Sequence, residues 1–245
     1  MDKRLTYFVS DVHLGLPVGD PAVREAHFVE FLRSIDPAQT EALYMLGDIW
    51  DFWYEYRDVV PRGYVRVLGS LVNLMDQGVK VYFFQGNHDV WTYSYFEQLG
   101  MKPLKQPCEV RIGTKTFCLG HGDGLGRGNY WYKFVKWVFT RPLSQTLFSA
   151  LHPWFAFRLG EGWSRKSRGE KPIAYHFKGP DEPLYRYCKD YLKHSPVNFF
   201  IFGHYHSRVD LPVGEARLMM LGDWMTAPNW MVFDAKEGTL TAYCK

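Results

Sequence analysis

Five short runs of apolar, β-branched and aromatic residues punctuate the chain: Leu5–Val9, Ala42–Leu46, Val79–Phe84, Thr116–Leu119 and Phe199–Phe202. Runs this short, without alternating polar positions, predict strands buried on both faces. Between the first runs the period lengthens, and about Pro21–Ile35, Tyr64–Gln77 and Tyr93–Leu99 read as helices. Strand and helix in alternation predict an α/β fold. Val110–Ile112 and Thr116–Leu119 form a hairpin pattern around Gly113. A helix follows near Leu184–Lys193, then a strand at Asn198–Phe202. Arg217–Leu221, Trp230–Phe233 and Thr239–Tyr243 read as short strands.

The alternation stops between about Leu125 and Gly179. This stretch holds Tyr130, Trp131, Tyr132, Phe134, Trp137, Phe139, Phe148, Trp154, Phe155, Phe157 and Trp163. Trp131, Phe134, Val135 and Val138, and then Leu143, Leu147 and Leu151, recur at helical spacing. The pattern divides the chain into a core, 1–124 with 180–245, and a helical cap insertion, 125–179. The insertion either packs its aromatics into a small core of its own or covers a site with an apolar groove.

Charge sharpens that choice. The chain carries only +3, yet between Arg127 and Lys171 nine basic residues face two acidic ones, a local excess of +7. Apolar surface mixed with Lys and Arg suits an element at a lipid–water boundary. A single-strand nucleic-acid groove is also basic and aromatic, but the leucine and phenylalanine content exceeds what base stacking requires, so no nucleic-acid partner is expected.

The rest of the composition excludes more than it selects. The 245 residues are 47% hydrophobic, enough for one large domain, and no low-complexity tract breaks them. No run approaches the roughly 18 apolar residues of a membrane span. Met1-Asp2-Lys3-Arg4 leads directly into the first strand, leaving no room for a signal peptide. Cys108, Cys118, Cys188 and Cys244 lack metal-type spacing and read as free thiols, which favours a cytoplasmic protein. No protein partner is implied.

Each of the five apolar runs is followed by a polar block: Asp11-Val12-His13, Gly47-Asp48-Ile49-Trp50-Asp51, Gly86-Asn87-His88-Asp89, Gly120-His121-Gly122-Asp123 and Gly203-His204-Tyr205-His206. Open α/β sheets place their chemistry where strands end. Carboxylates, an amide and imidazoles together suit two divalent ions about 3.5–4 Å apart, a site that polarises a phosphoryl oxygen and acidifies water. Asp48 is the natural shared ligand, because a hard carboxylate between two dications offsets their repulsion. Imidazole with oxygen and no thiolate fits Mn²⁺, Fe²⁺, Zn²⁺ or Co²⁺. His27, His152, His176 and His194, outside the blocks, read as ordinary surface or core residues.

On these five blocks, in this order, the chain resembles the calcineurin-like metallophosphoesterase superfamily, whose pattern is D-x-H, G-D-x-x-D, G-N-H-D/E, G-H and G-H-x-H. The resemblance implies a sandwich of two central β-sheets flanked by helices. It makes Asp11, His13, Asp48 and His206 the ligands of one metal, and Asp48, Asn87, His121 and His204 those of the other. His88 would donate to phosphoryl oxygens or the leaving group, oriented by Asp89, for which a loop cap is the structural alternative. Asp51 and Asp123 would stand behind the ligands.

The insertion narrows the resemblance to the UDP-2,3-diacylglucosamine pyrophosphatase family of lipid A biosynthesis. The carrying stretches are Ser10–Leu14, Ala42–Asp48, Tyr82–Asn87 and His121–Leu125, with Pro142-Leu143 and Gln145–Phe148 inside the insertion. This resemblance implies release of UMP and a diacylglucosamine 1-phosphate, manganese as activator, a cap that holds acyl chains, and a place on the inner face of the membrane. By position, Tyr132 and the basic run Arg165, Lys166 and Arg168 would meet the lipid-linked phosphate. One residue departs: best-known members carry arginine, a permanent bidentate clamp, where this chain has His88. A metallophosphoesterase for a soluble phosphoester is the alternative, and a scaffold that has lost catalysis should also have lost ligands.

Overall fold

A computed structural model describes residues 3–128, 130–168 and 175–245, without the side chains of 161 and 163–168. Strands β1 (Leu5–Val9), β2 (Thr40–Met45), β3 (Lys80–Phe84) and β4 (Lys102–Leu104) run parallel in the first sheet. β10 (Asn229–Asp234) joins β1 antiparallel, and β11 (Thr239–Cys244) closes that edge. In the second sheet β6 (Lys115–Leu119), β7 (Phe199–Phe202) and β9 (Ala216–Met220) are parallel. β5 (Cys108–Ile112) and β8 (Val209–Val213) flank them antiparallel.

Successive side chains of a strand point to opposite faces, and here both faces are covered. Phe8, Tyr44, Leu46 and Phe84 meet Phe117, Leu119, Ile201 and Met219 between the sheets. The alternate residues Val9, Leu43, Met45, Val81 and Phe83 pack under α1 (Pro21–Ser34) and α2 (Val65–Asp76). Cys118, Phe200, Phe202, Leu218 and Met220 pack with Leu184 and Cys188 of α7 (Pro183–Tyr191). Four layers result, and the double burial accounts for apolar runs that show no alternation.

Two strands were not expected from the pattern, β4 and β8. Each contains a proline, Pro103 and Pro212, and each lies at a sheet edge, where a missing N–H is tolerated. The helix near Tyr93–Leu99 shrinks to the single turn α3 (Tyr95–Gln98).

Positions 130–168 form α4 (Tyr130–Phe139), α5 (Pro142–Ser149) and α6 (Pro153–Arg168). Their contacts divide the aromatics in two. Phe148 lies 4.8 Å, ring to ring, from both Tyr54 and Trp91, and Phe157 stacks edge-on against Phe52 at 5.9 Å. The Trp91 indole donates to the Phe139 carbonyl at 3.0 Å, and the Tyr54 hydroxyl donates to that of Gln145 at 3.0 Å. The helices thus rest on the loops after β2 and β3. The other set, including Trp131, Phe134, Trp137, Leu143, Leu147, Trp154, Phe155 and Leu159, is more than half exposed. Among the described residues of these helices only Ala156 is buried, so they do not enclose a core of their own.

Candidate metal centre

All five polar blocks leave the carboxyl ends of parallel strands. Pairing of β1, β2 and β3 in one sheet, and of β6 and β7 in the other, brings them together at one end of the sandwich. The backbone must turn sharply to aim them. Asp11, His13, Asp48, His204 and His206 all have positive φ, between 49° and 70°. For residues other than glycine this left-handed conformation costs roughly 1–3 kcal/mol each and persists where the surroundings impose it. Two glycines make room. A Cβ on Gly86 would lie 2.2 Å from Asp48 Oδ1, and one on Gly203 would lie 2.2 Å from Asp11 Oδ2.

Two donor clusters share Asp48. In the first, His206 Nε2 is 3.3 Å from Asp11 Oδ1 and 3.1 Å from His13 Nε2. His13 Nε2 is also 3.8 Å from both Asp11 Oδ1 and Asp48 Oδ2. In the second, Asn87 Oδ1 lies 3.2 Å from His121 Nε2 and 2.8 Å from His204 Nδ1, with Asp48 Oδ2 3.3 Å from His121 Nε2. Asp11, His13, Asp48 and His206 thus bring ligand atoms within 4.8 Å of one another, and His121, next to Asp48, is linked through Asn87 to His204.

The surroundings fix the donors. Ser10 Oγ donates to Asp11 Oδ2 at 2.5 Å, and the His204 N–H donates to the same carboxylate at 3.1 Å. His121 Nδ1 faces the Leu46 carbonyl at 2.9 Å, which directs its Nε2 inward. Burial disfavours charge on His121, yet Asp48 beside it pushes its pKa up to about 10. Burial and His121 bring His204 down to about 4, leaving it a neutral imidazole. Asp11, Asp48, Asp89 and Asp123 are all buried within this small volume. The donor set fits divalent ions of the imidazole-and-oxygen class.

His88 and Asp89 do not form the expected pair. Asp89 is fully buried, and its carboxylate accepts from the backbone N–H groups of Gly86 at 2.7 Å, Ile49 at 2.8 Å, Asp48 at 3.2 Å and Trp50 at 3.4 Å. It clasps the loop after β3 to the loop after β2. Burial and the adjacent Asp48 push its carboxyl up to about 7. Asp51 takes the orienting place: His88 Nδ1 lies 3.0 Å from the Asp51 carbonyl oxygen, and His13 Nδ1 lies 3.5 Å from its Oδ1. Backbone donors thus engage both oxygens of Asp89, while the His88 ring contacts Asp51.

Tyr132 reaches the edge of the centre, its ring 6.2 Å from that of His204, and its hydroxyl donates to Asp123 Oδ2 at 2.5 Å. The side chains of Arg165, Lys166 and Arg168 lie outside the described residues. His27, His152, His176 and His194 are exposed, away from the clusters. Gln106 was not anticipated. It accepts from the Gly122 N–H at 2.8 Å and donates to Asp123, yet lies in a loop with no polar block to mark it. A cavity of about 500 Å³ opens beside His204 and His206, lined also by Tyr175, Lys178, Glu182 and Tyr205.

Two facing sheets with two carboxylate–imidazole clusters at their common end define a metal-dependent phosphoesterase. The chain belongs to the calcineurin-like phosphoesterase family, whose description matches residues 5–208. Among curated relatives it is similar to a UDP-2,3-diacylglucosamine hydrolase of Porphyromonas gingivalis, with 39% identity over 93% of each chain. An enzyme of the same name from Yersinia pestis is 30% identical over 89% of this chain and 90% of its own. A solved archaeal phosphodiesterase, 12% identical, superposes with a TM-score of 0.49 over 98% of this chain and 99% of that one. Among the described residues no helix is long and apolar enough to cross a membrane.

Proposed function

We propose that the chain hydrolyses the pyrophosphate of UDP-2,3-diacylglucosamine, giving UMP and 2,3-diacylglucosamine 1-phosphate. One observation carries this reading: a group of donors able to hold a metal ion, Asp11, His13, Asp48 and His206, occurs in a chain whose helices α4 to α6 leave tryptophan, phenylalanine and leucine side chains more than half exposed. A soluble phosphoester gives that apolar surface no purpose. Similarity to UDP-2,3-diacylglucosamine hydrolases along nine-tenths of the chain supports the same substrate.

Asp11, His13, Asp48 and His206 would hold one ion, and Asp48, Asn87, His121 and His204 the other. Mn²⁺ is the expected metal, with Fe²⁺, Zn²⁺ or Co²⁺ compatible with the same donors. When bound, the pair supplies Lewis-acid polarisation of a phosphoryl oxygen and a more acidic attacking water. His88 stands at the rim with its Nδ1 turned to the Asp51 carbonyl. With Nδ1–H given to that carbonyl, the protonated ring would donate from Nε2 to a phosphoryl oxygen or leaving group, an oriented imidazolium acting as general acid. Tyr132, Arg165, Lys166 and Arg168 would meet the lipid-linked phosphate.

The exposed cap face would take the acyl chains and rest against the inner membrane surface. Arg141 lies 4.0 Å over the Trp137 ring and Arg158 lies 4.7 Å over Trp154, placing cations beside apolar rings as an anionic lipid surface requires. The test compares Mn²⁺-reconstituted protein on UDP-2,3-diacylglucosamine, on its deacylated counterpart and on a soluble nucleotide pyrophosphate such as ADP-ribose. Release of UMP that rises with acyl length is expected. Equal turnover of all three substrates would point to a general soluble-nucleotide enzyme.

A further inference from the structure

Asp123 is buried beside the metal centre, and its carboxylate is engaged by side chains from outside it. Only 2% of its surface is exposed. Its Oδ2 accepts from two side chains of α4, the Tyr132 hydroxyl and the Lys136 ammonium, and Gln106 Nε2 donates to its Oδ1. Tyr132 and Lys136 are four residues apart and therefore share one face of the helix. The neighbouring face presents Trp131, Phe134 and Trp137 to solvent. Lys133 adds a bond from the same helix to the Gly126 carbonyl at 2.5 Å.

The stretch from α5 to α6 meets the core through aromatic contacts and through hydroxyl bonds to its backbone carbonyls. Within α4, the Lys136 ammonium is joined to the core by a charge-assisted bond to the buried Asp123 carboxylate. Such bonds are about twice as strong as neutral ones, and a buried carboxylate holds its donors to a narrow geometry. Asp123 also lies two residues after His121 in the loop that ends β6. One loop therefore carries a proposed metal ligand on one side and the anchor of the first cap helix on the other.

We propose that Asp123 is a positioning residue that fixes the orientation of α4 over the metal centre, and that Lys136 is its partner in this role. The exposed rings of α4 are then held at a set distance from the reacting phosphate, so the clamp governs how the apolar part of a substrate is gripped and leaves phosphoester chemistry alone. The second half of this statement rests on the lipid substrate proposed above.

The test uses Asp123→Asn and Lys136→Met in the full-length protein, read by metal content, hydrogen exchange and steady-state kinetics. Both variants should bind as much metal as wild type. Exchange within 130–139 should speed up roughly tenfold or more, the loss expected for one buried charged hydrogen bond. KM for UDP-2,3-diacylglucosamine should rise by a similar factor with kcat little changed, and Lys136→Met should turn over bis-p-nitrophenyl phosphate at the wild-type rate. Unchanged exchange in both variants overturns the clamp. Loss of metal together with loss of the small diester activity also overturns it, since Asp123 would then serve the ligands. If wild-type protein ignores the lipid, the substrate assignment fails, and the exchange measurement still decides the clamp.

Discussion

His13 Nε2 and His206 Nε2 lie 3.1 Å apart although 193 positions separate the residues in sequence. Two imidazole nitrogens at this distance cannot both donate to each other, and Asp11 Oδ1 lies 3.3 Å from the second of them. With Asp48 these residues bring ligand atoms within 4.8 Å of one another, close enough for one divalent cation to be held by all of them.

Loss of the shared carboxylate should therefore damage the centre most. Asp48→Asn removes charge from both clusters, and activity should fall by at least about a hundredfold, more than the 10–100-fold typical of groups that only support ligands. Chelation should abolish activity and lower the melting temperature, because a ligand at a hundred times its Kd stabilises the folded state by about 2.7 kcal/mol. The checks are metal analysis, calorimetry and turnover on the same samples. Wild-type turnover by Asp48→Asn would be inconsistent with a shared ligand.

His88 and Asp89, adjacent in sequence, should behave differently. His88→Ala should lower kcat by roughly 10²–10⁴, the range for a lost general acid, without a large shift in melting temperature. Asp89→Ala leaves four buried backbone N–H groups without their acceptor, each costing about 1–3 kcal/mol when unsatisfied. It should unfold at markedly lower temperature and lose activity with the fold. Asp51→Ala should act through His88 and His13, reducing kcat with a smaller stability change.

The cap should split by face. Trp137→Ser removes an exposed ring, so it should slow cleavage of the diacylated substrate, where burial of such a side chain contributes about 1.5–3 kcal/mol, and spare bis-p-nitrophenyl phosphate. Phe148→Ser removes the ring seated between Tyr54 and Trp91. It should loosen the cap itself, seen as faster proteolysis within α5. Similar behaviour of the two variants would argue against two distinct faces.

Much of this was legible in the chain. Strands buried on both faces give short unbroken apolar runs, and the polar blocks that end them stand out, so the blocks holding all seven proposed ligands are visible and the family resemblance names the ligands within them. Roles fixed by backbone geometry could not. Nothing in Gly-Asn-His-Asp tells that the carboxylate of Asp89 turns back to gather N–H groups from the loop of Asp48, while a carbonyl at position 51 holds His88. Gln106 was invisible because its partners lie 16 and 17 residues on, across a hairpin. The edge strands β4 and β8 were hidden by Pro103 and Pro212, residues that argue against a central strand and are accommodated at an edge.

Cleavage of UDP-2,3-diacylglucosamine in oxygen-18 water, followed by mass spectrometry of both products, tests the central claim most directly. Water is expected to attack the uridine-side phosphorus, with the lipid phosphate departing, so the metal-loaded protein should place the label in UMP and the chelated protein should release none. Label in the sugar 1-phosphate would reverse the orientation of the substrate at the centre. Absence of UMP from fully metal-loaded protein would contradict the assignment of this pyrophosphate as its substrate.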